Sequence, residues 1–194
     1  MKRSRSRQKD PRKRIFHAGT GLDGQEYGVV RLEGGDKHTY RQKPCLTCPW
    51  RKDAVVGAFP ADAYRSSAST CYDASLTTFS CHESGSDKAA TCAGFILANS
   101  ENNMALRIRG MKNEFDPSSV SNPDGVELYE SYRAMAIANG VDPRDARIAP
   151  CRADDEEWFT VAERVREQGL TEPITGEDLI RRARDEDHDE MMKR

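Results

Sequence analysis

A chain of 194 residues, 37% hydrophobic and 32% charged, is long enough for one domain with tails, but its apolar core must be modest. The longest apolar stretches, residues 54–59 and 93–98, are far too short to cross a bilayer, and no apolar run follows the basic start, so a soluble, cytoplasmic protein without membrane contact is expected. The net charge of -2 hides an asymmetry, because residues 1–14 carry +7 and the remainder -9.

Lys2, Arg3, Arg5, Arg7, Lys9, Arg12, Lys13 and Arg14 face one acid, Asp10, in that opening stretch. Residues 1–20 are therefore expected to form a disordered basic arm able to touch phosphates or an acidic partner. Residues 25–32 and 37–42 are strand-like runs on either side of Glu33-Gly34-Gly35-Asp36, and together they predict a β-hairpin leading into the first cysteines. Phe59-Pro60-Ala61-Asp62 opens a helix to about residue 69, with Pro tolerated and Asp favoured in the first turn. Residues 77–80 read as a short strand, 83–90 as a polar loop, and Thr91 as the cap of a helix over 92–98.

Asn103 begins a further helical piece through residue 111, and the run DPSSVSNPDG at 116–125 reads as a linker. Residues 126–139 place Leu128, Tyr129, Tyr132, Met135 and Ala136 at helical spacing before Gly140. Asp154 caps a helix to about residue 168 with Trp158, Phe159, Ala162 and Val165 on one face, and Thr175-Gly176-Glu177-Asp178 resembles a capping box opening a charged last helix. The expected fold class is α+β: the arm at 1–20, a small metal-stapled module with an N-terminal hairpin at 21–115, the linker at 116–125, and a helical part at 126–194.

Chemistry concentrates in the cysteines. Cys45-Leu46-Thr47-Cys48 is followed after 32 residues by Cys81 and after ten more by Cys92. Two cysteines separated by two residues can aim both sulfurs at one ion from a tight turn, while other turns or helix starts supply the rest. In a reducing cytoplasm such residues are metal ligands or buried thiols rather than a disulfide framework. Four thiolates suit zinc or an iron–sulfur cluster and disfavour magnesium and calcium, which want oxygen ligands. Lys43, Arg51 and Lys52 stand where they can offset the charge of four thiolates, and a cap at Thr91 would favour the thiolate of Cys92.

Trp50 is placed to shield the site from water, or equally to serve as an ordinary core aromatic, and Pro49 cannot donate a backbone hydrogen bond. His82 is expected to support the ligands rather than bind the ion, because neighbouring side chains of an extended chain point in opposite directions. Cys71 and Cys151 have no partner at ligand spacing and read as small buried residues, with Cys71 the alternative to one of the four ligands.

The run Lys43-Pro44-Cys45-Leu46-Thr47-Cys48-Pro49-Trp50-Arg51, then Phe79-Ser80-Cys81-His82-Glu83-Ser84, then Cys92-Ala93-Gly94-Phe95 resembles a domain-of-unknown-function family found in bacteriophages and bacteria. The resemblance covers about residues 41–111 and implies metal binding and a phage or mobile-element setting, hence the host cytoplasm. It brings no established activity.

Signatures of hydrolases and of phosphate-binding loops are absent. Pro44-Cys45-Leu46-Thr47-Cys48 supplies half of a zinc-deaminase pattern, but no His-x-Glu precedes it. The leading expectation is a non-enzymatic module in which zinc on Cys45, Cys48, Cys81 and Cys92 fixes a surface for a protein or nucleic acid. The alternatives are an iron–sulfur or thiol-redox protein, and metal-dependent catalysis through His82 and Glu83.

Overall fold

The computed structural model describes residues 13–32, 39–85, 89–153, 156–167 and 169. An antiparallel hairpin of β1 (Lys13–Thr20) and β2 (Glu26–Leu32) is followed by helices α1 (Ala61–Ser67), α2 (Ala93–Asn99), α3 (Met104–Met111), α4 (Tyr132–Ala138) and α5 (Trp158–Glu167). Single 3-10 turns stand at Ala68–Cys71, His82–Ser84 and Pro117–Ser119. The arrangement is α+β, as the sequence predicts.

β2 lies where the sequence places a strand, but its partner is upstream rather than downstream. Ile15 pairs with Val30 and Phe16 with Val29, so residues 13–20, assigned to the arm, form β1. The turn between them closes locally: Gly21 N–H donates to Gln25 O at 2.9 Å, Asp23 Oδ1 accepts from Gln25 N–H at 3.0 Å, and Gly24 supplies a φ of 74°. The run expected as the second strand starts at Lys37. Its described part turns toward the cysteines: Arg41 N–H donates to Thr91 O, and Thr91 N–H to Thr39 O, both at 2.9 Å. Arm residues 1–12, the Gly-Gly segment at 33–36, the Asp154 cap and the helix expected from Thr175 lie outside the described residues.

The predicted helix over 126–139 is shorter, and the reason is backbone supply. The turn after Cys48 leaves main-chain groups that need partners. Residues 127–129 satisfy them by staying extended: Lys52 N–H donates to Glu127 O at 2.9 Å and Tyr129 N–H to Trp50 O at 2.8 Å. The helix starts only at Tyr132, where Ser131 caps it by accepting from Ala134 N–H at 3.1 Å. Asn103 caps α3 in the same way, accepting from Leu106 N–H at 3.0 Å.

Beside a smaller cluster that joins Ala149 to Val161 and Val165, the main core cluster among the described residues runs from Cys45 to Cys151, with Trp50, Phe95, Ile96, Leu106, Met135 and Ile148 fully buried. Trp50 is at its centre, its ring centroid 6.1 Å from Phe79, 6.2 Å from Phe95 and 5.9 Å from Tyr132. The 116–125 segment is tied to this body: Val120 is buried, Ser121 N–H donates to Gln42 O at 2.9 Å, and the hydroxyls of Tyr40 and Ser119 are 2.9 Å apart. α5 is joined through Arg164, whose guanidinium donates to the carbonyls of Ala149 and Cys151 and pairs with Glu156.

Candidate metal centre

The turn at 45–48 carries two of the expected ligands. Cys48 N–H donates to Cys45 O at 3.2 Å and Arg51 N–H to Cys48 O at 3.0 Å, so the chain folds back and turns both side chains inward. Cys81 stands just before the His82–Ser84 turn, held by its N–H donating to Ala90 O at 2.7 Å. Cys92 occupies the N-cap position of α2, one residue later than the cap expected from the sequence. Thr91 is taken up by pairing with Thr39 and Ser80, and its hydroxyl accepts from Arg109 at 3.3 Å.

Three pieces of chain, the 45–48 turn, the segment before residues 82–84 and the start of α2, bring the four sulfurs into a row. Cys81 Sγ lies 4.0 Å from Cys45 Sγ, Cys45 contacts Cys48, and Cys48 Sγ lies 3.5 Å from Cys92 Sγ. All four are buried, and all six cysteines of the chain are free thiols. Ser84 N–H donates to Cys81 O at 3.1 Å, while other backbone N–H groups stand beside two of the sulfurs, that of Trp50 by Cys48 and that of Glu83 by Cys81. Such donors favour the thiolate.

Without a cation the crowding has the opposite effect. Contact with Cys48 raises the Cys45 pKa, opposed by Cys81 and reinforced by burial, to about 11. For Cys48 the contact with Cys45 pulls down, but Cys92 and burial outweigh it and bring the thiol to about 12. Contact with Cys45 and burial push Cys81 up further.

His82 comes closer than an extended chain would allow. The backbone leaves extended geometry at Cys81 and enters the 3-10 turn, which swings the imidazole back. Cys45 Sγ, Cys81 Sγ and a ring nitrogen of His82 lie within 4.8 Å of one another, a group able to hold a metal ion. The ring is exposed on one side and sheltered on the other by Phe59, at 5.0 Å between centroids, and desolvation lowers its pKa against the pull of Glu83. His82 Nε2 is 2.9 Å from Thr47 Oγ1, which donates to Glu83 Oε1 at 2.8 Å.

The other expected residues fall as follows. Trp50 is wholly buried against the cluster, and its Nε1 has no hydrogen-bond partner among the described residues. Arg51 is buried too, but its guanidinium grips Asp53 at 2.8 and 2.7 Å, and Lys52 reaches Glu127 at 2.6 Å. Both cations therefore have carboxylate partners of their own. Lys43 lines a surface depression with Tyr40, Arg41 and Gln42. Cys71 touches the Thr70 hydroxyl, Cys151 donates to Ala68 O, and burial pushes both thiols up. Of the arm, Lys13 and Arg14 belong to β1.

Sequence reasoning assigned nothing to Gly94 or Thr47. A Cβ on Gly94 would stand 2.6 Å from Trp50 Cβ, 2.9 Å from Trp50 Cγ and 3.0 Å from Cys48 Sγ, so α2 packs directly on the cysteine turn only because this residue has no side chain. A glycine in the first turn of an apolar helix is the signal for such close approach.

Fold and cluster together define an α+β protein with a cysteine-rich candidate metal centre. The model of a family of unknown function, DUF6283, matches residues 40–152, more than half of the chain, and the chain belongs to that family. The matched span holds all six cysteines and excludes the hairpin and α5. No curated protein and no solved structure matches the chain.

Proposed function

We propose that this is a non-enzymatic protein in which a zinc ion on Cys45, Cys48, Cys81 and Cys92 holds the body together and presents its surface to a protein or nucleic acid. The observation that carries the reading is the run of four buried sulfurs in contact. Tetrahedral zinc–thiolate bonds of about 2.3 Å place sulfurs about 3.8 Å apart, and the spacings of 3.5 and 4.0 Å bracket that value. In a [4Fe–4S] cluster each thiolate attaches to a different iron and stands farther from its neighbours, so these spacings disfavour that cluster, whereas a [2Fe–2S] cluster, with two thiolates on each iron, is told from zinc by its colour and iron content.

Bound zinc would be a Lewis acid, but in this role it supplies cohesion. The Trp50 and Glu83 N–H groups would offset thiolate charge at the two sulfurs beside them, and Trp50 with Phe95 would keep water away.

Anaerobic purification followed by elemental analysis and visible absorption tests the reading. One equivalent of zinc in a colourless protein is expected, with metal and folding lost together in Cys48→Ser and in Cys81→Ser, since the binding free energy of such sites is folding free energy. Unchanged metal content and melting temperature in both variants would remove the site, and a brown, iron-containing protein would replace zinc with a cluster.

Arg41 and Lys43 beside Tyr40 on the surface depression, together with the basic residues 2–12, favour a phosphate-bearing partner. Binding of a mixed-sequence nucleic acid at low salt should weaken steeply as salt is added. Equal binding after deletion of residues 1–12 would exclude the arm.

A further inference from the structure

The centre holds one donor more than a four-coordinate ion uses. Cys45, Cys48, Cys81 and Cys92 supply four sulfurs, and a His82 nitrogen lies within 4.8 Å of the first and third of these. Which nitrogen can bind follows from proton bookkeeping. A carboxylate only accepts, so the single hydroxyl hydrogen of Thr47 is committed to Glu83 Oε1. The 2.9 Å contact between Thr47 Oγ1 and His82 Nε2 must then use a hydrogen carried by Nε2. In the neutral ring this leaves Nδ1 with a bare lone pair. A ring nitrogen tied through its opposite N–H to a hydroxyl–carboxylate relay is the usual state of a ligating histidine.

The sulfurs differ in how they join the group. Cys45 touches both Cys48 and Cys81, whereas Cys92 reaches the others through Cys48 and is carried by a different element, α2. His82 sits at the opposite end of this chain of contacts, on the exposed side. Replacing Cys92 by His82 therefore leaves a contiguous donor set of Cys48, Cys45, Cys81 and His82.

We propose that His82, through Nδ1, is a fifth donor of the centre and takes the place of Cys92 on the ion, so that the metal passes between a four-sulfur shell and a shell of three sulfurs and one nitrogen. The proposal rests on the four-cysteine reading above. In the exchange the metal–sulfur bond to Cys92 breaks, the released thiolate takes a proton from water, and the Nδ1 lone pair forms the new bond, with no change of oxidation state. With Cys92 released, α2 would be freed at its N-cap, and the exposed side of His82 would give a buried centre a route for ion exchange.

Cobalt(II) in place of zinc reads the shell directly, because sulfur-to-cobalt charge-transfer absorption scales with the number of thiolates. Cys92→Ser is expected to keep one equivalent of cobalt with that absorption reduced by one sulfur, and Cys92→Ser/His82→Ala to bind none. Adding Thr47→Val to Cys92→Ser should weaken cobalt affinity about tenfold to hundredfold, the usual cost of losing an outer partner of a ligand. A measurement that leaves the cysteines intact is zinc transfer from His82→Ala to a chelator, expected to be slower than from the wild type.

An empty Cys92→Ser protein together with unchanged transfer from His82→Ala overturns the proposal while leaving the four-cysteine centre standing. Retention of cobalt by the double variant overturns it as well. A wild-type protein that binds neither metal removes the four-cysteine reading itself.

Discussion

Substitution of Gly94 by Ala tests whether the packing of α2 on the cysteine turn governs the centre. In an unconstrained helix the change should stabilise, by about 1 kcal/mol, because Gly is the poorest ordinary helix former. Here the added methyl would meet Trp50 Cβ at 2.6 Å and Cys48 Sγ at 3.0 Å, well inside ordinary contact. Trp50 Cβ cannot swing aside, since the ring is wedged between Phe79, Phe95 and Tyr132 and the Trp50 carbonyl accepts from Tyr129 N–H at 2.8 Å. Relief must come from lifting α2, which carries Cys92 away from Cys48. Overpacking of this kind costs about 1–3 kcal/mol or more, so the propensity gain is offset or exceeded. Differential scanning calorimetry of metal-loaded protein should show a lower melting temperature, by about 2–4 °C per kcal/mol of net loss for a chain of this size. Zinc affinity, read by chelator competition, should fall with it. A variant that melts at or above the wild-type temperature with full affinity would refute the reasoning.

Arg164→Ala should free α5 without emptying the centre, because the guanidinium bonds the Ala149 and Cys151 carbonyls while Val161 and Val165 bury little else beyond Ala149. Stranding these acceptors costs about 2 kcal/mol, so amide exchange in α5 should quicken about thirtyfold, and unchanged protection there would argue against the tie. Asp145→Asn probes the link between α1 and the 142–151 segment. Burial pushes that carboxyl up, but the Arg147 N–H and the Arg65 guanidinium, at 2.9 and 2.6 Å, pull it down further, to a net position below 3.8. Its contribution is therefore complete above the unfolded pKa and disappears as pH falls through the lower folded value. Urea unfolding should separate variant from wild type by about 1.5–3 kcal/mol at pH 7, with the curves converging below pH about 4. A gap independent of pH would mean that shape rather than charge is lost.

The parts legible in the sequence are those written locally. The helix starts at Pro60 and Asn103 carry their own signals, and α1 and α3 follow them closely. The β1 strand is hidden in the sequence because Lys13 and Arg14 continue the charge run of the arm and mask the apolar pairing of Ile15 with Val30. The start of α4 was misplaced because the periodicity of Leu128 and Tyr129 suits a helix, while the unmet main-chain groups beside Trp50 are a tertiary fact no local window contains. At the cysteines, spacing pointed to Cys45 and Cys81, which with a ring nitrogen of His82 form a group able to hold a metal ion. The approach of His82 depends on a 3-10 turn, and the clearance at Gly94 depends on where α2 crosses the cysteine turn.

The cysteines and the core are one structure, and this argues for a cation more strongly than the spacing of the sulfurs alone. Protonated thiols are weak hydrogen-bond partners, yet the backbone N–H groups of Trp50 and Glu83 stand beside Cys48 and Cys81, a placement that gains little unless those sulfurs are anionic. Two or more buried thiolates in contact would repel one another, which is why their pKa values rise when no ion is considered. A divalent ion reverses both terms, turning mutual repulsion into shared attraction and making the N–H donors effective. In a chain whose apolar fraction is low for its length, that reversal acts at Trp50 and Gly94, where the cysteine turn, α2 and the extended 127–129 segment meet. Loss of the ion should therefore loosen α2 and the 127–129 segment before it reaches the hairpin, whose two strands are bonded to each other and whose packing runs through Phe59. Residue-resolved hydrogen exchange during chelation follows that order directly, and a hairpin that opens first would show that the cysteines stabilise a different part of the molecule.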